Sequence, residues 1–362
     1  MHKISLSMVI GILLSGAAFY FSLKNIPFGV LLNHAASINY GWILPAIAAC
    51  FADFMLSAVR WRMILESAGK INFRTAYHGT MIALMVNCIL PGRAGEIVRP
   101  VILYRQEEVP LSIGLASVIV EGIFDIILLL LFFSVFLYFF QIDPDFQMRL
   151  GDMQLNGATL ETVGKSMLKL CLTLICGIIL ISFKKTRNHI TGAIKRIPDF
   201  VWFANSDLKQ KIREKLCIPL LNVVGNFVTG FSLLKNVEKT CLCVLLTVVI
   251  WLLTALFYYI VAAGCLGVSL SFPEAIAVMV IISFFISLPS VPGFWGLWEA
   301  GGVFAMSLFG VDVRDAASFA LVSHLVYIFP VILAGLISAI LTGVRFFRIS
   351  EYVSFDTTQK GL

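Results

Sequence analysis

Charged side chains are scarce in this chain: 13% of its 362 residues are Asp, Glu, Lys or Arg, while 59% are hydrophobic. An ordinary soluble domain carries roughly 25% charged residues. A water-soluble fold of this length could not hide so much apolar surface, whereas a bilayer can. Metal-ligand spacing is also lacking. Of eight cysteines, most lie inside apolar runs, where cysteine behaves as a small hydrophobe, and Cys241-Leu242-Cys243 is too close for a structural zinc site. We therefore expect no disulfide framework, no metal and no cofactor. Missing too are a nucleophile–base motif, a phosphate-cradling glycine loop and a zinc helix motif. The net charge of +6 has no basic arm or nucleic-acid motif behind it, so nucleic acid is not an expected partner.

What the chain has instead is long apolar runs. Six could cross a hydrocarbon core of roughly 30 Å, which needs about 20 residues: residues 4–23, 41–59, 111–140, 163–183, 240–263 and 316–342. The first has no clear small-residue cleavage site after it and reads as an uncleaved span. Two further runs, 77–90 and 274–288, reach only about 21–22 Å at ~1.5 Å per residue. Each ends in a break rich in proline and glycine: Pro91-Gly92-Arg93-Ala94-Gly95-Glu96, and Pro289-Ser290-Val291-Pro292-Gly293-Phe294-Trp295-Gly296-Leu297-Trp298-Glu299. Proline lacks a donor and glycine tolerates unusual dihedrals, so both runs stop there as helices.

Charge sets the orientation. With the N-terminus inside and the short runs entering and returning, 22 of the 27 Lys and Arg residues fall inside, as cytoplasmic loops require. The expected protein is an all-α polytopic protein of the cell inner (cytoplasmic) membrane, with six full spans and two re-entrant helical hairpins, N-in and C-in. Residues 40–140 and 239–342 then read as an inverted repeat. Residues 184–239 form a basic cytoplasmic loop, amphipathic around 220–234, that lies against anionic lipid and is too short for an independent enzyme domain.

Ionisable residues at bilayer depth cost about 2.5–3.5 kcal/mol on insertion scales and usually face a cavity or a partner. Glu121 and Asp125, at i and i+4, share a helix face; they read either as partners of arginines between helices or as transport groups. Asp53, Ser57 and Arg60 form one stripe, although Arg60-Trp61-Arg62 also suits an interfacial anchor. Arg93, Glu96 and Arg99 follow the first break, where an arginine fork suits phosphate and where a plain Glu–Arg loop pair is the competing reading. Glu299 follows the second break. His324, alone in an apolar run, reads more readily as a satisfied packing residue than as a ligand or proton group.

These residues resemble the flippase-like, lysylphosphatidylglycerol synthase transmembrane domain family over nearly the whole chain. The resemblance rests on Arg60-Trp61-Arg62, on Leu90-Pro91-Gly92-Arg93-Ala94-Gly95-Glu96 with Arg99, on Glu121 with Asp125, and on Pro292-Gly293 with Gly296 and Glu299. The family usually has Arg directly after the mid-span Glu, where this chain has Gly122. It also usually has Arg before an aromatic pair in the last span, where this chain has His324 with Tyr327. The resemblance implies the stand-alone type without a transferase domain, and no enzyme activity. It implies a flippase-like transporter moving a phospholipid or lipid-linked headgroup between leaflets. Arg60, Arg93 and Arg99 would hold phosphate, and Glu96, Glu121, Asp125 and Glu299 would balance them or bind a coupling proton in one polar cavity. Two alternatives remain: a non-catalytic membrane partner of a glycosyl- or aminoacyltransferase, docking through the basic loop, and an integral-membrane transferase acting on a lipid phosphate.

Overall fold

The structure is a computed structural model that describes residues 13–20, 29, 38–66, 69–91, 93–139, 147–150, 153–200, 209–210, 212–218, 221 and 236–344. Gly92, the residues flanking the 13–20 helix, the amphipathic stretch expected at 220–234 (except residue 221) and the basic residues Lys3, Lys24, Arg345, Arg348 and Lys360 lie outside them.

The described chain is predominantly helical. We label its helices α1 (Ile43–Leu65), α2 (Phe73–Ile89), α3 (Gly95–Glu107), α4 (Leu111–Phe139), α5 (Gly157–Ser182), α6 (Lys184–Phe200), α7 (Val237–Gly264), α8 (Phe272–Ser287), α9 (Leu297–Ser307) and α10 (Val313–Thr342). Four are long and apolar enough to cross a membrane: α1 with the 3₁₀ turn before it, α4, α7 and α10. Of the other two expected spans, residues 13–20 are helical where described. The run 163–183 falls in α5, whose first half carries Glu161, Lys165 and Lys169. An all-α reading needs one amendment. Gln147–Leu150 and Met153–Asn156 pair as a short antiparallel hairpin between α4 and α5.

The order after each of α1 and α7 is the same: a short helix, a break, a shorter helix and a long span. The short helices have 17 and 16 residues, the shorter ones 13 and 11, and the spans 29 and 30. Both short helices start earlier than their apolar runs because polar residues cap them. The Asn72 side chain accepts from Arg74 N at 3.0 Å. Glu274 reaches back to the Ser271 amide (2.6 Å) and hydroxyl (2.8 Å), with a proline in the first turn. Such caps satisfy amides that a helix start leaves open.

The chain divides into two compact units. The first holds Met1–Arg60, Asn72–Glu108 and Leu246–Leu362, and the second Trp61–Ile71 and Val109–Leu245. In the first unit α2 and α3 fold back on each other, and side chains close their hairpin at both ends. Glu107 Oε1 accepts from Thr75 Oγ1 (2.6 Å) and Asn72 N (3.2 Å) at the base. At the tip Asn87 Oδ1 accepts from Gly95 N (2.8 Å). Helix α8 packs on α9, and α9 on α10. Helix α10 lies against α2, where a Cβ on Gly335 would overlap the Met85 side chain; small residues are what allow such close helix crossings in membranes.

In the second unit Trp61 is fully buried and its Nε1 donates to Ser117 Oγ (2.9 Å). This corrects the interfacial-anchor reading of Trp61: a buried indole needs an acceptor for its N–H, and Ser117 supplies one inside the bundle. Helix α5 packs on α4, and Lys239 pairs with Glu66 at 2.6 Å. Helix α6 is amphipathic as well, with Lys184, Lys185, Arg187, Lys195 and Arg196 over 17 residues.

Candidate functional site

The two breaks meet inside the first unit. A Cβ on Gly293 would lie 3.2 Å from the Cys88 carbonyl at the end of α2. From the other side, Arg93 Nη2 donates to the Ile286 carbonyl (3.4 Å) and to Ser287 Oγ (3.5 Å) at the end of α8. Helix C-termini carry partial negative charge, equivalent to roughly half a unit, so the guanidinium sits where it complements the α8 terminus. Backbone strain occurs at both breaks. Arg93 and Phe294, both with a Cβ, adopt φ of 54° and 61°, a region costing non-glycine residues on the order of 1 kcal/mol and typical of ligand sites. Gly296, at φ 86°, could not be replaced: a Cβ there would overlap the Ser15 carbonyl.

The second break is held from α10. Glu299 and His324 are both 0% exposed. Glu299 Oε2 accepts from Gly296 N at 2.6 Å, and Oε1 lies 2.6 Å from His324 Nδ1. The other ring nitrogen, Nε2, is 2.7 Å from the Gly293 carbonyl. A carbonyl only accepts, so Nε2 carries hydrogen and donates. The contact between Nδ1 and Oε1 then needs one proton, shared between imidazole and carboxyl, and the pair is neutral as a whole. Trp298 stacks on the imidazole with centroids 4.7 Å apart and planes 4° from parallel, and Trp295 lies at 4.4 Å. The Trp298 N–H donates to Ser323 Oγ (3.2 Å). Tyr327 and Tyr258 pack on Trp298 at 5.2 and 5.9 Å.

The structure places each expected site residue as follows. Glu299 and His324, 25 positions apart, come together. Arg93 and Glu96 pair at 3.3 Å, with side chains 44% and 49% exposed. Arg99 is buried in α3. Arg60 is buried in the first unit and donates to Thr247 Oγ1 at 2.9 Å. Glu121 (buried) and Asp125 (half-buried) belong to the second unit, one turn apart on α4. Glu96 and Glu299, aligned in the two breaks, have different partners: an arginine of its own loop and a histidine of the following span. Sequence reasoning passed over Trp295, Trp298, Ser323 and the Gly293 carbonyl. The two tryptophans stood within the second break and were its available signal.

Residues 8–335 match the family described as the lysylphosphatidylglycerol synthase TM region. No curated protein matches the chain.

Proposed function

The chain belongs to the lysylphosphatidylglycerol synthase TM-region family, and from that premise we propose that it moves a phospholipid or lipid-linked headgroup between leaflets of the cytoplasmic membrane. It is a multi-pass membrane protein tied by its family to membrane-lipid metabolism. The observation that carries the transport reading is Arg93. It stands on one break, reaches the helix end at the other, and keeps 44% of its side chain exposed. An arginine fork so placed is open to a lipid phosphate, because its planar donors match phosphate oxygens two at a time. Broken helices in two inverted halves are the usual setting for such a site. On this reading Arg60 and Arg99 support the phosphate site, Glu96 balances Arg93, Glu121 with Asp125 lines the route, and the protein performs no group transfer itself.

Purified protein in proteoliposomes should translocate headgroup-labelled phosphatidylglycerol without any partner. Replacing Arg93 with lysine keeps the charge and loses the fork, so the rate should fall about tenfold, the scale of a charge-assisted hydrogen bond, with the unfolding midpoint unchanged. A wild-type rate in Arg93→Lys would remove the phosphate role.

Orientation has its own check. If residues 184–239 are cytoplasmic, a single cysteine at exposed Lys185 should resist membrane-impermeant maleimide in intact cells and react after permeabilisation. Strong labelling from outside would refute both the orientation and the inverted repeat.

The basic amphipathic helix α6 favours a second reading, a non-catalytic membrane partner of a glycosyl- or aminoacyltransferase. Inertness in proteoliposomes until such an enzyme is added would support it. Aminoacyl or sugar transfer to lipid by the purified protein alone would overturn both readings.

A further inference from the structure

We propose that Glu299 and His324 form the binding site of a coupling proton, whose departure unlatches the second break. The proposal rests on the transport reading above.

His324 holds the break from both sides. Its Nε2 ties Gly293, upstream of the turn, and its Nδ1 ties Glu299, in the first turn of α9. With the shared proton in place every polar atom of this set is satisfied, including the Gly296 amide on Glu299 Oε2. When that proton goes to water, a carboxylate and a neutral imidazole protonated at Nε2 remain. The Nδ1 lone pair then faces a carboxylate oxygen across 2.6 Å, two acceptors with nothing between them. The site passes from neutral to one negative charge with no exposure on either residue, and a buried unpaired charge is what proteins avoid most strongly. Opening the break, so that water reaches Glu299, relieves this.

The surroundings suit the role. The face of Trp298 lies parallel to the imidazole and favours the cationic ring through its quadrupole. The titratable or charged groups nearby come from every element packed here. Cys88 ends α2 beside Gly293. Tyr258 of α7 and Tyr327 of α10 pack on Trp298. Helix α1, which carries Asp53 and Cys50, packs on Tyr327 through Phe54. Arg93 holds the end of α8. Of these only Asp53 and Arg93 carry charge by default, and Arg93 is already paired with Glu96.

The test uses purified full-length protein in proteoliposomes, with fluorescently labelled phosphatidylglycerol as probe and an imposed pH gradient. One proton per lipid sustains up to about a tenfold difference in probe between leaflets per pH unit. Wild type should build that asymmetry. Glu299→Gln should leave the probe evenly distributed at every gradient while keeping the wild-type fold. Its amide can accept from Gly296 N and donate to Nδ1, closing the same bonds without a mobile proton. A second readout needs no transport: wild-type tryptophan fluorescence should change when raising the pH removes the proton shared beside Trp298, and Glu299→Gln should abolish that change. Wild-type translocation that ignores the gradient overturns the proton site and leaves the transport reading standing. A flat wild-type fluorescence titration overturns it as well. No translocation of the probe by wild type under either condition overturns the transport reading and the coupling with it.

Discussion

Replacing His324 with leucine should destabilise the protein by about 3–5 kcal/mol, the cost of removing one member of a buried ionic pair. Leucine fills much of the ring's volume, so packing against Trp295 and Trp298 survives in part. What it cannot supply is a donor. The Gly293 carbonyl and the Glu299 carboxylate, both reached by the imidazole at 2.6–2.7 Å, would be left buried and unsatisfied. Glu299→Gln provides the contrast. It keeps donors and acceptors matched and should cost about 1 kcal/mol or less. Unfolding of the two variants in mixed detergent micelles measures both. Equal stabilities would mean that the pair contributes no more than ordinary packing.

Gly95→Ala should cost about 2–4 kcal/mol. A Cβ at this position would overlap the Ala83 carbonyl and crowd Asn87 Oδ1. The first obstacle is backbone, which no rotamer change relieves, and overpacking of this kind typically costs 1–3 kcal/mol, or about that. The shift also breaks the bond from Gly95 N to Asn87, a cap on α3 worth about 1 kcal/mol. Gly122→Ala is the control: a Cβ there meets nothing within 4 Å, and replacing a mid-helix glycine should stabilise by about 0.5–1 kcal/mol. If Gly95→Ala unfolds with Gly122→Ala, the close approach of α2 and α3 is not as described.

Much of the architecture was legible because membrane helices announce themselves by composition. The two short runs, their breaks and the order around them all follow from apolar length and from proline with glycine. The starts of α2 and α8 were missed by a few residues because an apolar-run criterion stops at Asn72, Arg74 and Ser271, the polar residues that cap or open those helices. The basic loop hid its amphipathic helix for a similar reason: the charges of Lys184–Phe200 drew attention to net charge instead of period. Trp61 was misread because tryptophan at a span's end has two stable settings, the lipid interface and a buried hydrogen bond, and only the position of Ser117 decides between them.

The site was legible residue by residue but not in its pairings. Glu299 was expected to need a cation, and His324 was expected to be a satisfied histidine. Each expectation describes half of one contact. Joining them requires α9 to fold back against α10, which the local sequence around either residue does not specify. Arg93 with Glu96 was readable because the partners are three residues apart.

The first hairpin has a tie at each end, Glu107 at its base and Asn87 at its tip. The break of the second is fastened to α10 at a histidine whose bond to Glu299 exists only while one proton is present. On the transport reading, two halves with the same order of helices would therefore differ in stiffness. On that reading the first would act as a strut, held at both ends, and the second as a hinge leaf with a releasable catch. A transporter made from two such halves would need an inequality of this kind to have a direction, since two equally compliant halves would leave nothing to push against.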